Sequence, residues 1–329
     1  MSKSDDDYLW DKSGDADPDV ARLEQLLSPL AHSAPLDELR MRRKSKVPLL
    51  IAFGMVAVAA AIVVVIVWPR SGATPPPENY ACGAQATGFA FTARGGSVAC
   101  GGATVPAGVL PVGGTLDTGA NEADLAIADI GSAQLSPKTR VRLDATSPER
   151  HQLYLERGRM HAFVSAPPRL FAVGTPSGQV TDLGCAYTLE IDESGAGSIE
   201  VESGMVELEV TNGRVIVVPA GASARLLAGR RASLPLAKGA NAQLVAAVGD
   251  FHAGVANARD RVLATAQPSD AITVANLARI TSPGERRSVL DRLAELAKPP
   301  QDMSVDDIEQ LDLLDMWFDE IVFGYIAAH

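Results

Sequence analysis

The sequence predicts a mainly β domain, an antiparallel roll or solenoid-like sandwich, held outside a membrane by one helix and followed by a helical tail. Three observations carry that prediction. Pro48 to Val67 is an unbroken apolar run, short alternating segments fill residues 81–236, and the apolar period lengthens to about 3.6 beyond Ala237. The expected domains are a cytoplasmic segment 1–46, a transmembrane helix 47–68, a Pro-rich linker 69–80, the β domain 81–236 and a helical region 237–329.

The apolar run, PLLIAFGMVAVAAAIVVVIV, carries no charge and is long enough to cross the hydrocarbon core as a helix. Arg40, Arg42, Arg43, Lys44 and Lys46 precede it, whereas Arg70 is the only base between it and Arg94. That asymmetry places the N-terminus in the cytoplasm and the bulk of the chain outside, with Trp68 as an interfacial anchor. A cleaved signal peptide is the competing reading; the run is long and late for one and lacks a small-residue cleavage site.

Charge narrows the partners. Residues 1–46 carry 8 Lys+Arg against 10 Asp+Glu, and residues 69–329 carry 21 against 30. An acidic exterior argues against direct nucleic-acid binding, and the basic cluster before the span reads as a topology signal. Cys82, Cys100 and Cys185 all lie on the exterior side, where disulfides persist. Cys82 and Cys100 flank a Gly-rich stretch and read equally as a disulfide or as two thiols; Cys185, in an apolar strand pattern, reads as a small buried side chain.

In the cytoplasmic segment, Asp17-Pro18-Asp19 has the composition of a helix start. Val20, Leu23, Leu26, Leu27 and Leu30 then form an apolar stripe at helical spacing. A lone short helix is marginal in water, so the stripe needs either a protein groove or the inner membrane face. Pro75-Pro76-Pro77 makes a stiff spacer after the span.

Strands are expected at Leu125–Ile130, Val141–Leu143, Gln152–Leu155, Arg159–Val164 and Leu170–Val173. Ile199 and Val201 alternate with Glu200 and Glu202, Ser203-Gly204 turns, and Val206, Leu208 and Val210 alternate with Glu207 and Glu209. Asn212-Gly213 is the strongest hairpin signal, leading into Val215 to Val218. The Glu row reads as the solvated face of a sheet. In the tail, Leu244, Val248, Phe251 and Val255 mark one helix, Ile272 to Ile280 a second, and Val289, Leu290, Leu293 and Leu296 a third. Ser304 is expected to cap one last acidic helix running through Leu311, Leu314, Trp317, Phe318, Ile321 and Val322.

Phe171-Ala172-Val173-Gly174-Thr175-Pro176, Val180 and Asp182-Leu183-Gly184-Cys185-Ala186-Tyr187 resemble the signature of the FecR family of membrane-bound sigma-factor regulators. Ile199 to Val206, Gly131 to Pro137 and Gly158-Arg159-Met160 also fit it. The resemblance implies an anti-sigma factor of the bacterial inner membrane. Its cytoplasmic segment would hold an extracytoplasmic-function sigma factor, and its periplasmic FecR-like domain would sense an envelope protein or ligand. Three features depart from the pattern. Cys185 stands where the family has Thr, the cytoplasmic segment is shorter and lacks a Trp-rich pattern, and the tail is helical rather than a small receptor-docking α/β domain. Iron-siderophore signalling is therefore not implied.

Chemistry is not expected. His151 and His161 lack partners at ligand spacing, and no nucleophile elbow, phosphate loop or HExxH occurs, so neither enzyme, metal nor cofactor is predicted. Two readings follow: an anti-sigma regulator, or an envelope scaffold whose exterior domain binds protein or glycan without a sigma factor.

Overall fold

The computed structural model describes residues 82, 87–209, 214–227, 231–300, 303–310 and 313–328. The expected cytoplasmic helix, membrane span and linker lie outside them. Among the described residues no helix is long and apolar enough to cross a membrane.

The strands run in order as β1 (Gly88–Arg94), β2 (Val98–Cys100), β3 (Ala103–Val105), β4 (Ala107–Pro111), β5 (Thr115–Asp117) and β6 (Glu122–Ile127). Next come β7 (Gly131–Leu135), β8 (Arg140–Ser147), β9 (Arg150–Val164), β10 (Phe171–Thr175), β11 (Gly178–Asp182) and β12 (Ala186–Ile191). The last are β13 (Gly197–Ser203), β14 (Met205–Glu209), β15 (Val215–Pro219), β16 (Ala222–Leu227), β17 (Arg231–Ala232) and β18 (Leu236–Ala237). They form two sheets. The first has the order β4-β1-β6-β7-β9-β12-β13-β16, with β17 and β18 beside β16. The second has the order β3-β2-β5-β8-β9-β10-β11-β14-β15. Among the described residues only the β9–β10 pairing is parallel.

Strand β9 belongs to both sheets. Arg150 to Arg157 pair with β8 in the second sheet; in the first, Gly158 to Phe163 pair with β12 and Met160 to Val164 with β7. The two segments expected at 152–155 and 159–164 are thus one strand that changes sheets. His151, Leu153 and Leu155 point inward before the crossing; Met160, Ala162 and Val164 do so after it. The shift from odd to even residues turns the same core-facing pattern onto a new sheet. Gly158 makes the bend with φ near +100°, where a Cβ would lie 2.4 Å from the Thr139 Cα. Thr139 Oγ1 accepts from the Arg159 N–H (3.0 Å) and donates to its carbonyl (3.1 Å). The Thr118 hydroxyl in turn accepts from the Thr139 N–H (2.9 Å) and donates to the Ser136 carbonyl (2.8 Å). Both threonines are buried, so their polar groups have to be satisfied internally, and they are.

Beyond the sheets lie α1 (Ala242–His252), α2 (Ala258–Thr265), α3 (Ala271–Ile280), α4 (Arg287–Leu296), α5 (Val305–Gln310) and α6 (Leu314–Ala328). The expected first helix stops at His252, leaving Val255 exposed. Helix α2 was not expected. Its only buried side chains are Ala258 and Val262, too few to write a period. The single last helix divides into α5 and α6; Ser304 caps α5, its hydroxyl accepting from the Asp307 N–H while the Asp307 carboxylate accepts from the Ser304 N–H.

The helices are fastened to the β domain by polar bonds in apolar surroundings. Asn276 on α3 accepts from the Val217 N–H (2.8 Å) and donates to the Val217 carbonyl (3.1 Å). One side-chain amide thus stands in for a neighbouring strand along the outer edge of β15, which would otherwise present unpaired groups. Thr273 donates to the Pro235 carbonyl, His252 Nε2 accepts from the Leu234 N–H, and the Tyr325 hydroxyl donates to the Gly221 carbonyl.

Asn276→Leu keeps the branched shape of the side chain and removes both bonds to Val217. It is expected to cost about 2–4 kcal/mol, because two buried backbone groups lose their partner. Urea unfolding measures it, and a loss below about 0.5 kcal/mol, typical of a surface change, would show that the edge is satisfied otherwise.

Candidate functional site

The structure separates residues that make the fold from residues that a partner could touch. Val20, Leu23, Leu26, Leu27 and Leu30 lie outside the described residues. Cys82 and Cys100 are joined in a disulfide, with Cα atoms 5.9 Å apart and 18 residues of separation. It fixes the chain ahead of β1 to β2, and a loop of this length stabilises by about 3 kcal/mol.

The third cysteine lies in a corner that leads the chain from β11 in the second sheet to β12 in the first. Asp182 ends β11 with a buried carboxylate. One of its oxygens accepts from the Gly184 N–H (2.6 Å) and the other from the Cys185 thiol (2.7 Å). Backbone bonds tie the corner further: Arg169 N–H to the Asp182 carbonyl, Leu183 N–H to the Met205 carbonyl and Val164 N–H to the Cys185 carbonyl. Burial pushes the Cys185 thiol far up, helped by the negative charge of Asp182, so it is a hydrogen-bond donor and not a nucleophile. Burial also raises the Asp182 carboxyl above its ordinary value, against the hydrogen bonds from Cys185 and Gly184 that pull it down. Tyr187, fully buried two residues after Cys185, is held well above the usual phenol value by the same burial.

The segment Phe171 to Thr175 is strand β10, whose Thr175 hydroxyl closes the following turn onto the Gly178 carbonyl. Gly204 makes the second corner, from β13 to β14. A Cβ there would stand 2.1 Å from the Gly184 carbonyl oxygen, so the two corners pack backbone on backbone. The Glu row is divided by this corner. Glu200 and Glu202 stand on the first sheet, Glu207 and Glu209 on the second, and Glu207 receives a two-pronged ion pair from Arg169 (2.6 and 3.1 Å). The residues that carry the resemblance therefore build corners and strands.

One surface open to a partner is the outer face of the first sheet. Cross-strand register lines up Thr92, Asp124, Gln134, His161, Thr188, Glu200 and Ser223 in one row across seven strands. A bulge in the β12–β13 pairing brings Glu202 over this row, its carboxylate 3.2 Å from His161 Nε2. Sequence reading gave His161 no partner, because Glu202 is 41 residues away. Arg94 pairs with Asp124, and Arg159 with Glu190 (3.4 Å). Between them opens a polar cleft of about 280 Å³ lined by Arg94, Asp124, Gln134, Arg159, His161 and Glu202, among others. One row further along β9, Phe163 is 55% exposed, flanked by Ser132 and Ala186. Among the described residues no group of His, Cys, Asp or Glu is placed to hold a metal ion. His151 is buried and shares a hydrogen bond with the Thr146 hydroxyl (2.8 Å). The arrangement offers charge-paired donors and acceptors with an apolar ring one row away, which suits binding.

Residues 114–207 match the model of a family described as FecR protein. Among solved structures, the chain is similar to two crystal structures of a candidate anti-sigma factor from Parabacteroides distasonis. The one at 1.65 Å is 17% identical, with a TM-score of 0.34 over 40% of this chain and 63% of that one. The one at 2.50 Å is 18% identical, with a TM-score of 0.32 over 39% and 60%. The chain thus spans less than two thirds of either. No curated protein matches it.

The Asp182 corner sets a pH dependence. A carboxyl raised by folding holds its proton more tightly than in the unfolded chain, so its contribution to stability falls as pH rises from its ordinary value of about 4 through the folded value. Asp182→Asn removes this titration. The stability of the native chain relative to the variant is expected to decline as pH rises above the ordinary carboxyl value of about 4, measured by urea midpoints. A constant difference would mean that the carboxylate is not shifted.

Proposed function

We propose that this chain is a single-pass regulator of the bacterial inner membrane that holds an extracytoplasmic-function sigma factor on the cytoplasmic side and senses an envelope signal outside. The observation that carries the reading is order along the chain. The FecR-matching residues 114–207 follow an apolar run of twenty residues that has its bases on the N-terminal side. A disulfide in the part after the run is in keeping with export.

The proposed mechanism is sequestration. Val20, Leu23, Leu26, Leu27 and Leu30 lay an apolar stripe into the sigma factor and cover a surface that polymerase needs, until a signal received outside frees it. The β domain contributes recognition through the outer face of its first sheet, with no catalytic step. The crystal structures from Parabacteroides distasonis carry an anti-sigma description, which agrees with this reading and, at their low similarity, adds no argument.

Leu23→Asp with Leu27→Asp in the full-length protein is expected to reduce recovery of a co-purifying sigma factor at least tenfold. Each lost apolar contact is worth about 1.5–3 kcal/mol, and about 1.4 kcal/mol is a factor of ten. Transcripts of that sigma factor should rise in the same strain. If the native chain recovers no sigma factor and transcripts do not change, the anti-sigma reading fails and an envelope scaffold stands in its place.

A further inference from the structure

Residues 299–329 hold eight carboxylates and no Lys or Arg. Their longest element, α6, buries Leu314, Trp317, Phe318, Val322 and Tyr325, and the Trp317 indole donates to the Lys298 carbonyl. The opposite side is not covered. Asp315, Met316, Asp319, Glu320, Phe323 and Gly324 are exposed at spacings of three and four, one continuous stripe. Phe323 is 63% exposed, the largest value among the exposed large hydrophobics of the described residues.

Beside this stripe runs a groove of about 380 Å³ whose walls include Pro268, Leu296, Trp317, Ile321 and Tyr325, with Glu320 and Gly324 at the boundary with the stripe. A Cβ on Gly324 would meet nothing within 4 Å, so the groove is open there. Asp315 is paired to Arg279 at 3.1 Å, and Arg287 neutralises Asp306 and Glu309 on α5. No salt bridge reaches Asp319 or Glu320 among the described residues.

Charge decides between occupants. A second copy meeting this face symmetrically would bring like carboxylates together. An anionic lipid surface would be repelled for the same reason. A cationic amphipathic helix satisfies both halves of the surface: its apolar side enters the groove beside Phe323, and its Lys or Arg residues reach Asp319 and Glu320. The exposed stripe from Asp315 to Ala327 is about 18 Å long, enough for three helical turns. We propose that α6 and its groove form a docking site for a basic amphipathic helix of a partner protein on the side of the membrane that holds the β domain. The proposal stands independently of the sigma-factor reading.

The test uses the full-length chain in phosphatidylcholine nanodiscs and a fluorescent 14-residue helical peptide of Leu and Lys, with the Glu-for-Lys peptide as control and empty nanodiscs subtracted. The Lys peptide is expected to bind, more weakly at higher salt, and the Glu peptide is not. Asp319→Lys with Glu320→Lys should weaken binding at least tenfold. Gly324→Phe, which fills open space and leaves the core untouched, should do the same without moving the unfolding midpoint, whereas Glu209→Lys on the second sheet of the β domain should change nothing. No binding of the Lys peptide, equal binding of the Glu peptide, or unchanged binding by both groove variants would overturn the proposal. So would a dimer that dissociates in Phe323→Asp, or attachment to phosphatidylglycerol vesicles lost in that variant, since each names a different occupant.

Discussion

One strand serves two sheets, and the rest of the β domain is arranged around that constraint. Because β9 pairs with β8 and β10 along its first half and with β7 and β12 along its second, the registers of both sheets are set by one backbone. Its core-facing residues must change parity at the crossing, or one sheet would turn its polar side inward. Gly158 permits the change in conformation, and Thr139 and Thr118 satisfy the groups that the bend takes out of the ladder. The later corners at Asp182–Cys185 and Gly204 repeat the solution at smaller scale, with a carboxylate or bare backbone where Gly158 uses threonine hydroxyls. At the β9 crossing the buried threonine hydroxyls are matched, which makes it costly to rearrange, whereas beside the Asp182 corner the buried Tyr187 hydroxyl has no hydrogen-bond partner among the described residues.

A two-layer sandwich leaves edges, and the helical region answers one of them. The Asn276 amide offers Val217 the donor and acceptor that another strand would have offered. A helix can therefore close a sheet without joining it. Because α3 is buried along most of its length, this closure also fixes where α6 lies, with Tyr325 reaching the Gly221 carbonyl in the turn between β15 and β16. The tail is thus built into the β domain, while one side of α6 stays exposed.

How much of this was legible in the sequence depends on the range of the interaction. Strands with one buried side, such as Ile199 to Val201 or Val141 to Leu143, write their alternation locally and can be read. The continuity of β9 could not be read, because Glu156-Arg157-Gly158 has the composition of a turn. Ser203-Gly204 has the same composition in a hairpin as in a corner between sheets; only the packing of Gly204 on Gly184 distinguishes them. Cys185 was readable as a small buried side chain, whereas its bond to Asp182 was not, since a strand and a corner place residues three apart differently. The outer row from Thr92 to Ser223 was invisible, because each neighbour comes from a different strand.

The same division governs what the resemblance can carry. Thr175, Asp182, Gly184 and Tyr187 face inward or close turns, so a chain keeping them keeps two linked sheets whatever binds outside. Specificity has to come from positions that the corners leave free: the outer row of the first sheet with Phe163 beside it, and the uncovered side of α6. Both surfaces combine an exposed phenylalanine with charge, but they differ in balance. On the sheet, Arg94, Arg159 and His161 are already matched by Asp124, Glu190 and Glu202, so an incoming group must compete for existing pairs. On α6, no salt bridge among the described residues engages Asp319 or Glu320, so a cationic group gains attraction there without displacing one of those pairs. Physical selectivity for charge is therefore stronger on α6 than on the sheet, although the recognisable motif lies in the sheets.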